Sequence, residues 1–224
     1  MSTSLPRRLA AVSIVVMSAI CASTVQAQSC YGTPSRSSVA YDYGRVTLGE
    51  FHGGSATLIG ARTALALSAR VGSIDDLDVQ EGALRFGLQL PAGKVQICPA
   101  LGLGLSRLTS ETPQYDLASN ILSLRAGVGV GIEQEVYRGI SLIPFLAARY
   151  EFNVLYVTVD APNADVLESG DTTSTVDFEY GLMASWKILY MGIAAQRNLD
   201  SGDRPYFARY VLGFTFGSGP LRRR

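Results

Sequence analysis

From Leu122 to Ile132 the chain alternates without interruption: Leu122, Leu124, Ala126, Val128, Val130 and Ile132 share one parity, and Ser123, Arg125, Gly127, Gly129 and Gly131 share the other. Successive side chains of an extended strand point to opposite faces, so the pattern predicts a β-strand with one greasy face and one small or charged face. The same alternation predicts strands from about Thr63 to Gly72, Gln80 to Leu90, Lys94 to Leu108, Ser119 to Glu135, Gly139 to Thr158, Thr173 to Lys187, Leu189 to Asn198 and Arg204 to Phe216.

Two kinds of connection alternate between these strands. Tight turns are expected at Gly60-Ala61-Arg62, Pro91-Ala92-Gly93-Lys94, Tyr137-Arg138-Gly139 and Lys187-Ile188; longer polar loops at Ser73 to Val79, Thr109 to Ala118, Asp160 to Thr172 and Leu199 to Asp203. Short turns on one side and long loops on the other describe an all-β, antiparallel, up-and-down transmembrane β-barrel. Phe216 ends on the short-turn side, and an even barrel must also begin there. Two further strands are therefore expected before Gly60, Ser38 to Leu48 and Gly53 to Ile59, joined by an external loop from Gly49 to His52, which makes ten. Val39, Tyr41 and Tyr43 share a face while Val46 and Leu48 fall on the other, which suggests a bulge. The alternative is eight strands plus an N-terminal arm.

The opening residues add a location. Arg7 and Arg8 precede an apolar run from Leu9 to Ala22 and a small-x-small site at Val25-Gln26-Ala27, the arrangement of a cleavable export signal over residues 1–27. The expected mature chain has an arm over 28–36, a barrel over 37–216 and a basic periplasmic tail over 217–224. A lipoprotein signal fits less well, because Ala27-Gln28-Ser29-Cys30 lacks a large aliphatic residue in first place. Without the signal the net charge is −2, and no basic stripe exists for nucleic acid. Charged residues are 17% of the chain against about 25% in soluble domains, so something other than water is expected over much of the surface.

Alternation alone leaves a soluble lipocalin-like barrel open, with its greasy side inward. Two features favour the membrane form. The polar face is rich in Gly and Ala, as in Ala100, Gly102 and Gly104, which suits a crowded lumen. The apolar face carries aromatics at both ends: Trp186, Phe214 and Phe216 near short turns, and Phe178, Tyr180, Tyr150, Phe152 and Tyr206 toward the long loops. Two such girdles bound a band roughly 25 Å tall.

At the C-terminus, Tyr210-Val211-Leu212-Gly213-Phe214-Thr215-Phe216 resembles the final-strand signal read by outer-membrane assembly machinery, with Tyr210, Gly213, Phe214 and Phe216 as its elements. With the signal peptide and the turn pattern, the chain from about Ser37 to Phe216 resembles the small bacterial outer-membrane barrels typified by OmpA-like and OmpX-like proteins. In that family the aromatic is usually terminal, whereas Gly217 to Arg224 follow it here. The resemblance implies outer-membrane lipid and lipopolysaccharide as surroundings and the assembly machinery as a partner.

Charges of both signs are expected to point inward: Arg70, Arg85, Arg125, Arg149 and Arg209 against Glu81, Glu133, Glu135, Glu151, Asp177 and Glu179. In a narrow lumen they must pair, because an unpaired buried charge costs several kcal/mol. The preferred expectation is a closed polar core; the alternative is an ion-selecting constriction. Cys21 leaves with the signal, and Cys30 and Cys98 remain in an oxidising compartment on the same periplasmic side, where a disulfide would tie the arm into the barrel mouth. His52 is the one histidine and is expected in the first external loop near Asp75, Asp76 and Asp78. No Asp-x-His or late-strand His-Ser pair accompanies it, so a rim-sited hydrolase is the weakest reading and no enzyme is expected. Acidic loops, including Asp160, Asp165, Glu168 and Asp171, face basic short turns at Arg62, Lys94, Arg138 and Lys187. Such loops suit shared divalent cations with lipopolysaccharide phosphates or plain solvation, and the spacing matches no EF-hand. Gly127-Val128-Gly129-Val130-Gly131 lies within a strand with no helix after it, so it is lumen packing rather than a nucleotide loop. No cofactor or metal is expected, and the external partner is open.

Overall fold

The computed structural model describes residues 30–46, 49–74, 77–111, 116–160, 167–199 and 207–217. The export signal, Asp75, Asp76, Asp165, Tyr206 and the closing arginines lie outside them. A short 3-10 turn, Cys30–Gly32, precedes ten long strands: β1 (Ser37–Val46), β2 (Gly49–Ile59), β3 (Thr63–Ile74), β4 (Leu77–Leu88), β6 (Val95–Glu111), β7 (Asp116–Gly131), β9 (Ile140–Asp160), β10 (Leu167–Trp186), β11 (Leu189–Asn198) and β12 (Phe207–Phe216). Two short pieces, β5 (Leu90–Ala92) and β8 (Gln134–Tyr137), continue β4 and β7 toward the short turns. Each long strand pairs antiparallel with its sequence neighbour, and β1 pairs with β12 from Ser37↔Phe216 to Arg45↔Ala208. The sheet is a closed ten-stranded barrel.

Prolines explain the two interruptions. Pairing of β4 with β6 stops at Gly87↔Ala100 and resumes at Leu90↔Ile97, so Leu88 and Gln89 lie opposite Pro99 and Cys98. Pairing of β7 with β9 stops at Gly131↔Phe145, and β8 resumes at Gln134↔Leu142, opposite Pro144 and Ile143. Proline has no N–H to give to a ladder, so the neighbouring strand loses its partner there.

The first hairpin differs from the expectation. Both ladders of β1 run in register with no bulge, and Val46 pairs with Gly49. The apparent phase change at Val46 is the hairpin end, where neither face is held to the bilayer. His52 is correspondingly not in a loop: it sits in β2, paired with Tyr43 on one side and Val71 on the other. The expected long loops are also shorter. β4 begins at Leu77, β6 and β7 reach Glu111 and Asp116, and β10 starts at Leu167 rather than Thr173. Hairpin ladders continue beyond the bilayer, where both faces meet water and alternation carries no signal.

The bulky row faces out. Leu103 is 53% exposed and Val128 41%, with Leu67, Leu101, Leu105 and Leu122 also exposed on that face. An apolar band of this extent on a closed sheet suits acyl chains and excludes the greasy-inside soluble barrel. Trp186, Phe214 and Phe216 mark its short-turn edge and Tyr150, Phe152 and Tyr180 its long-loop edge, all on the outer face. The inner row is less uniform than expected. Ile143, Phe145, Met183, Tyr190, Ala194 and Val211 form a buried apolar floor inside the barrel. Around Leu142 to Leu146 both faces of β9 are apolar, so parity alone could not reveal which residues turned inward.

Candidate functional site

Residues extend into the lumen at two levels. At the upper level, ion pairs run along two arcs. Arg70 Nη1 lies 3.9 Å from Glu81 Oε2, Arg125 Nη2 3.0 Å from Glu81 Oε1, and Arg125 Nε 2.9 Å from Glu151 Oε2. On the other arc Arg149 Nη2 lies 2.9 Å from Glu179 Oε2, Arg209 pairs with the second oxygen of Glu179, and Arg209 Nη1 lies 3.8 Å from Asp42 Oδ1. Arg149 and Glu151 stand two apart on β9, so the arcs meet there. At the opposite side Asp42 pairs in register with Gly53, and Gly53 with Arg70. Acid and base thus alternate around the inner wall. The β-ladder positions each pair: Arg70↔Glu81 and Arg125↔Glu151 are direct cross-strand partners.

Small residues make room for these long side chains. A Cβ on Gly53 would come within 2.5 Å of Arg70 Cγ, one on Gly127 within 2.9 Å of Arg149 Cγ, and one on Gly104 within 3.2 Å of Arg125 Cζ. The glycine stripe is the seating for the guanidinium groups. Gly129 plays the same part for the second level, since a Cβ there would lie 2.9 Å from the Tyr31 ring.

The second level is the N-terminal segment. Cys30 is disulfide-bonded to Cys98, and Cys30, Tyr31 and Gly32 are all buried. The Tyr31 hydroxyl donates to the Cys98 carbonyl at 3.1 Å, and Arg85 stacks on the Tyr31 ring with Cζ 4.3 Å from its centroid. Burial pushes the Tyr31 hydroxyl pKa up, only partly countered by the Arg85 charge, so it remains a donor. Tyr31 adopts φ 59°, a left-handed conformation that non-glycine residues adopt only when the surroundings enforce it. Gly32 follows at φ 70° against the Phe145 ring. A cavity of about 110 Å³ remains in the lumen, lined in part by Tyr31, Asp42, Arg70, Arg85 and Arg149.

Not every expected charge joins the network. Asp177 is buried and accepts from Gln196 Nε2 at 3.1 Å. Glu133 is at the periplasmic end, accepting from the Ser35 amide at 3.1 Å. Glu135 is outside the lumen altogether: it is exposed on β8 and accepts from the Gly139 amide at 3.0 Å, acting as a turn cap. The register is unchanged across the break, with Glu135 opposite Ser141, but β8 is exposed at the short-turn end, so a side chain of the inward parity meets solvent there. Sequence reasoning missed Asp42 and Tyr31. Asp42 has the inward parity of β1, obscured by the suspected bulge; nothing in the sequence marks Tyr31.

His52 is on the outer face. Its Nδ1 is hydrogen-bonded to Tyr41, its ring is 5.1 Å from that of Tyr43, and its Nε2 is 3.8 Å from Glu50. It belongs to the upper aromatic girdle, with its side chain half exposed and turned away from the lumen. The four residues expected to form a terminal-strand signal divide in the same way: Tyr210, Phe214 and Phe216 are exposed on the outer face, while Gly213 clears space for Tyr190 inside, where a Cβ would come within 2.5 Å.

No protein-family model matches the chain, and no curated protein matches it. Solved structures of similar fold include the translocator domain of autotransporter NalP from Neisseria meningitidis, with a TM-score of 0.50 and 13% identity over 80% of this chain and 87% of that one. The KdgM porin aligns with a TM-score of 0.40 and 10% identity over 80% of this chain and 99% of that one. For the N-terminal β-barrel domain of Pseudomonas aeruginosa OprF the TM-score is 0.33 and the identity 15%, over 85% of this chain and the whole of that one. At such identities the likeness is one of fold. A closed antiparallel barrel with an apolar exterior, aromatic girdles and a charged interior has the architecture of an outer-membrane β-barrel.

Proposed function

We propose that this barrel is a non-enzymatic outer-membrane protein with a closed lumen, serving to stabilise the membrane and to present its long-loop end at the cell surface. The observation that carries the reading is the double occupancy of the lumen, by the alternating charge girdle and by the disulfide-anchored Cys30–Gly32 segment. An ion crossing such a lumen must displace paired side chains from one another, at a cost of several kcal/mol per uncompensated charge. Lipopolysaccharide is the expected neighbour: Arg45, Arg107 and Arg197 are exposed near the long-loop end, suited to its phosphates. The assembly machinery is the expected partner of β12. His52 lends no support to a rim hydrolase, since its neighbours are outward-facing tyrosines.

Planar-bilayer recording on purified protein tests the reading. Wild-type protein should insert without discrete conductance steps. Reproducible steps at neutral pH would establish the narrow passive channel instead.

A further inference from the structure

The strands are of unequal height. β11, β12 and β1 have 10 residues each and β2 has 11, close to the roughly 9–11 that cross a bilayer, whereas β9 has 21 and β10 has 20. The surplus lies at the long-loop end, where the β9–β10 ladder continues to Leu167↔Val159. β11 does not follow. Its pairing with β10 ends at Asp177↔Asn198, with one further bond from the Leu199 amide to the Val176 carbonyl at 2.9 Å. From Leu167 to Thr175, β10 is thus paired on one side, and on the other it meets no strand among the described residues.

The directions of its backbone groups follow from the ladder. In antiparallel pairing alternate residues turn both N–H and C=O to the same side. Val176 turns its carbonyl toward the β11 side, so Ser174, Thr172, Gly170 and Glu168 do likewise. The Thr172 amide confirms the phase, bonding its neighbour Asp171 Oδ1 at 2.7 Å rather than a strand. Residues 169–174 are exposed, contain no proline or lysine, and include Thr172 and Thr173, good strand formers. A long edge that meets no strand among the described residues and lacks such guards is a template for strand addition.

Charge selects the occupant. From Asp160 to Thr175 the chain carries four acidic residues, Asp160, Asp165, Glu168 and Asp171, and no basic one. Pairing between two copies would set one acidic stretch of chain against another. We infer that the outer edge of β10, from Leu167 to Thr175, is a docking strand for an extended, lysine- or arginine-rich peptide segment of a surface partner. Main-chain bonds supply the register, and the acidic residues of this stretch, exposed Asp171 among them, supply the preference. This deepens the surface-presenting part of the proposed function and does not depend on whether the lumen conducts.

The test uses the full mature protein in detergent micelles with a ten-residue peptide of alternating lysine and threonine, read by amide hydrogen exchange and by titration. Exchange across Gly170 to Thr175 should slow at least tenfold with the peptide, and a matched glutamate–threonine peptide should have no effect. Ser174→Pro removes one outward donor and is sterically compatible with an edge strand; it should weaken binding at least tenfold while heat-modifiable migration of the barrel persists. If Ser174→Pro disturbs the barrel, Ser174 carrying an N-methylated backbone amide by semisynthesis serves in its place. Equal binding to wild type and the edge variant reduces the interaction to bulk charge and overturns the inference. So does protection of the edge without peptide, which would mean that residues 200–206 or a second copy already cover it, and so does absence of binding. A conducting barrel whose edge still captures the lysine peptide would sink the closed-lumen reading alone.

Discussion

Glu179 is the most heavily committed side chain in the barrel. Two guanidinium groups, from Arg149 and Arg209, pair with its two oxygens, and its side chain is only 6% exposed. Removing it takes from Arg149 its 2.9 Å carboxylate and leaves Arg209 the longer 3.8 Å contact with Asp42, and about 3–5 kcal/mol is the usual cost of breaking a buried pair. Glu179→Ala should therefore lower unfolding stability in urea by about that amount, followed by fluorescence of Trp186, the one tryptophan. Glu135→Ala serves as the contrast, since this carboxylate is exposed and caps a turn; a change within about 1 kcal/mol is expected there. Equal losses from the two variants would mean that the girdle contributes no more than any surface charge. At this scale the arginines and most of their partners were legible, because a charged residue on the inner parity has only one place to point. Asp42 was hidden by a misjudged hairpin end, and Glu135 by its place at the exposed end of its strand, where the inward parity no longer means the lumen.

Among the elements, the N-terminal turn and β9 show how covalent and backbone chemistry shape the sheet. The Cys30–Cys98 bond closes a loop with a sequence separation of 68, and constraining a chain of that length contributes about 4 kcal/mol in the entropy model. Cys30→Ser should leave a folded, heat-modifiable barrel with lower urea stability, the loss being at most about that value because Tyr31 still has its seat against Gly129 and Arg85. Should the variant fail to form a barrel at all, the segment is part of the folding nucleus rather than a late-docking plug. On β9, Pro144 accepts from the Ile132 amide at 3.2 Å, so its missing N–H would also have faced β7 and β8. Pro144→Ala should supply that donor, join β7 to β8 and make the new amide at 144 slow to exchange. Fast exchange there would show that the break has another cause. Strand existence was legible from period two, and the pairing of the cysteines from parity and compartment; the ends were not, since ladders above the bilayer answer only to hydrogen bonding.

For the molecule as a whole, the decisive quantity is which surface meets lipid and how far up the strands that contact extends. Low charge content, two girdles and an unbroken greasy row made the orientation readable from the chain, whereas the uneven height of the wall was not, because a polar Thr- and Ser-rich ladder such as Thr172 to Thr175 has the composition of a loop. Nitroxide labels placed singly in reconstituted protein report both properties. Labels at Leu103 and Val128, exposed on the outer face, should relax with oxygen and resist a water-soluble nickel complex, since oxygen concentrates in acyl chains. A label at Ser174 should show the reverse preference, because twelve residues separate it from the Trp186 girdle on the same strand and roughly 9–11 suffice to cross the core. Nickel access at Leu103 and Val128 would turn the barrel inside out and remove the membrane assignment. Oxygen preference at Ser174 would submerge the tall wall, leaving the outer edge of β10 in hydrocarbon, where bare backbone groups cannot persist and no soluble partner can reach.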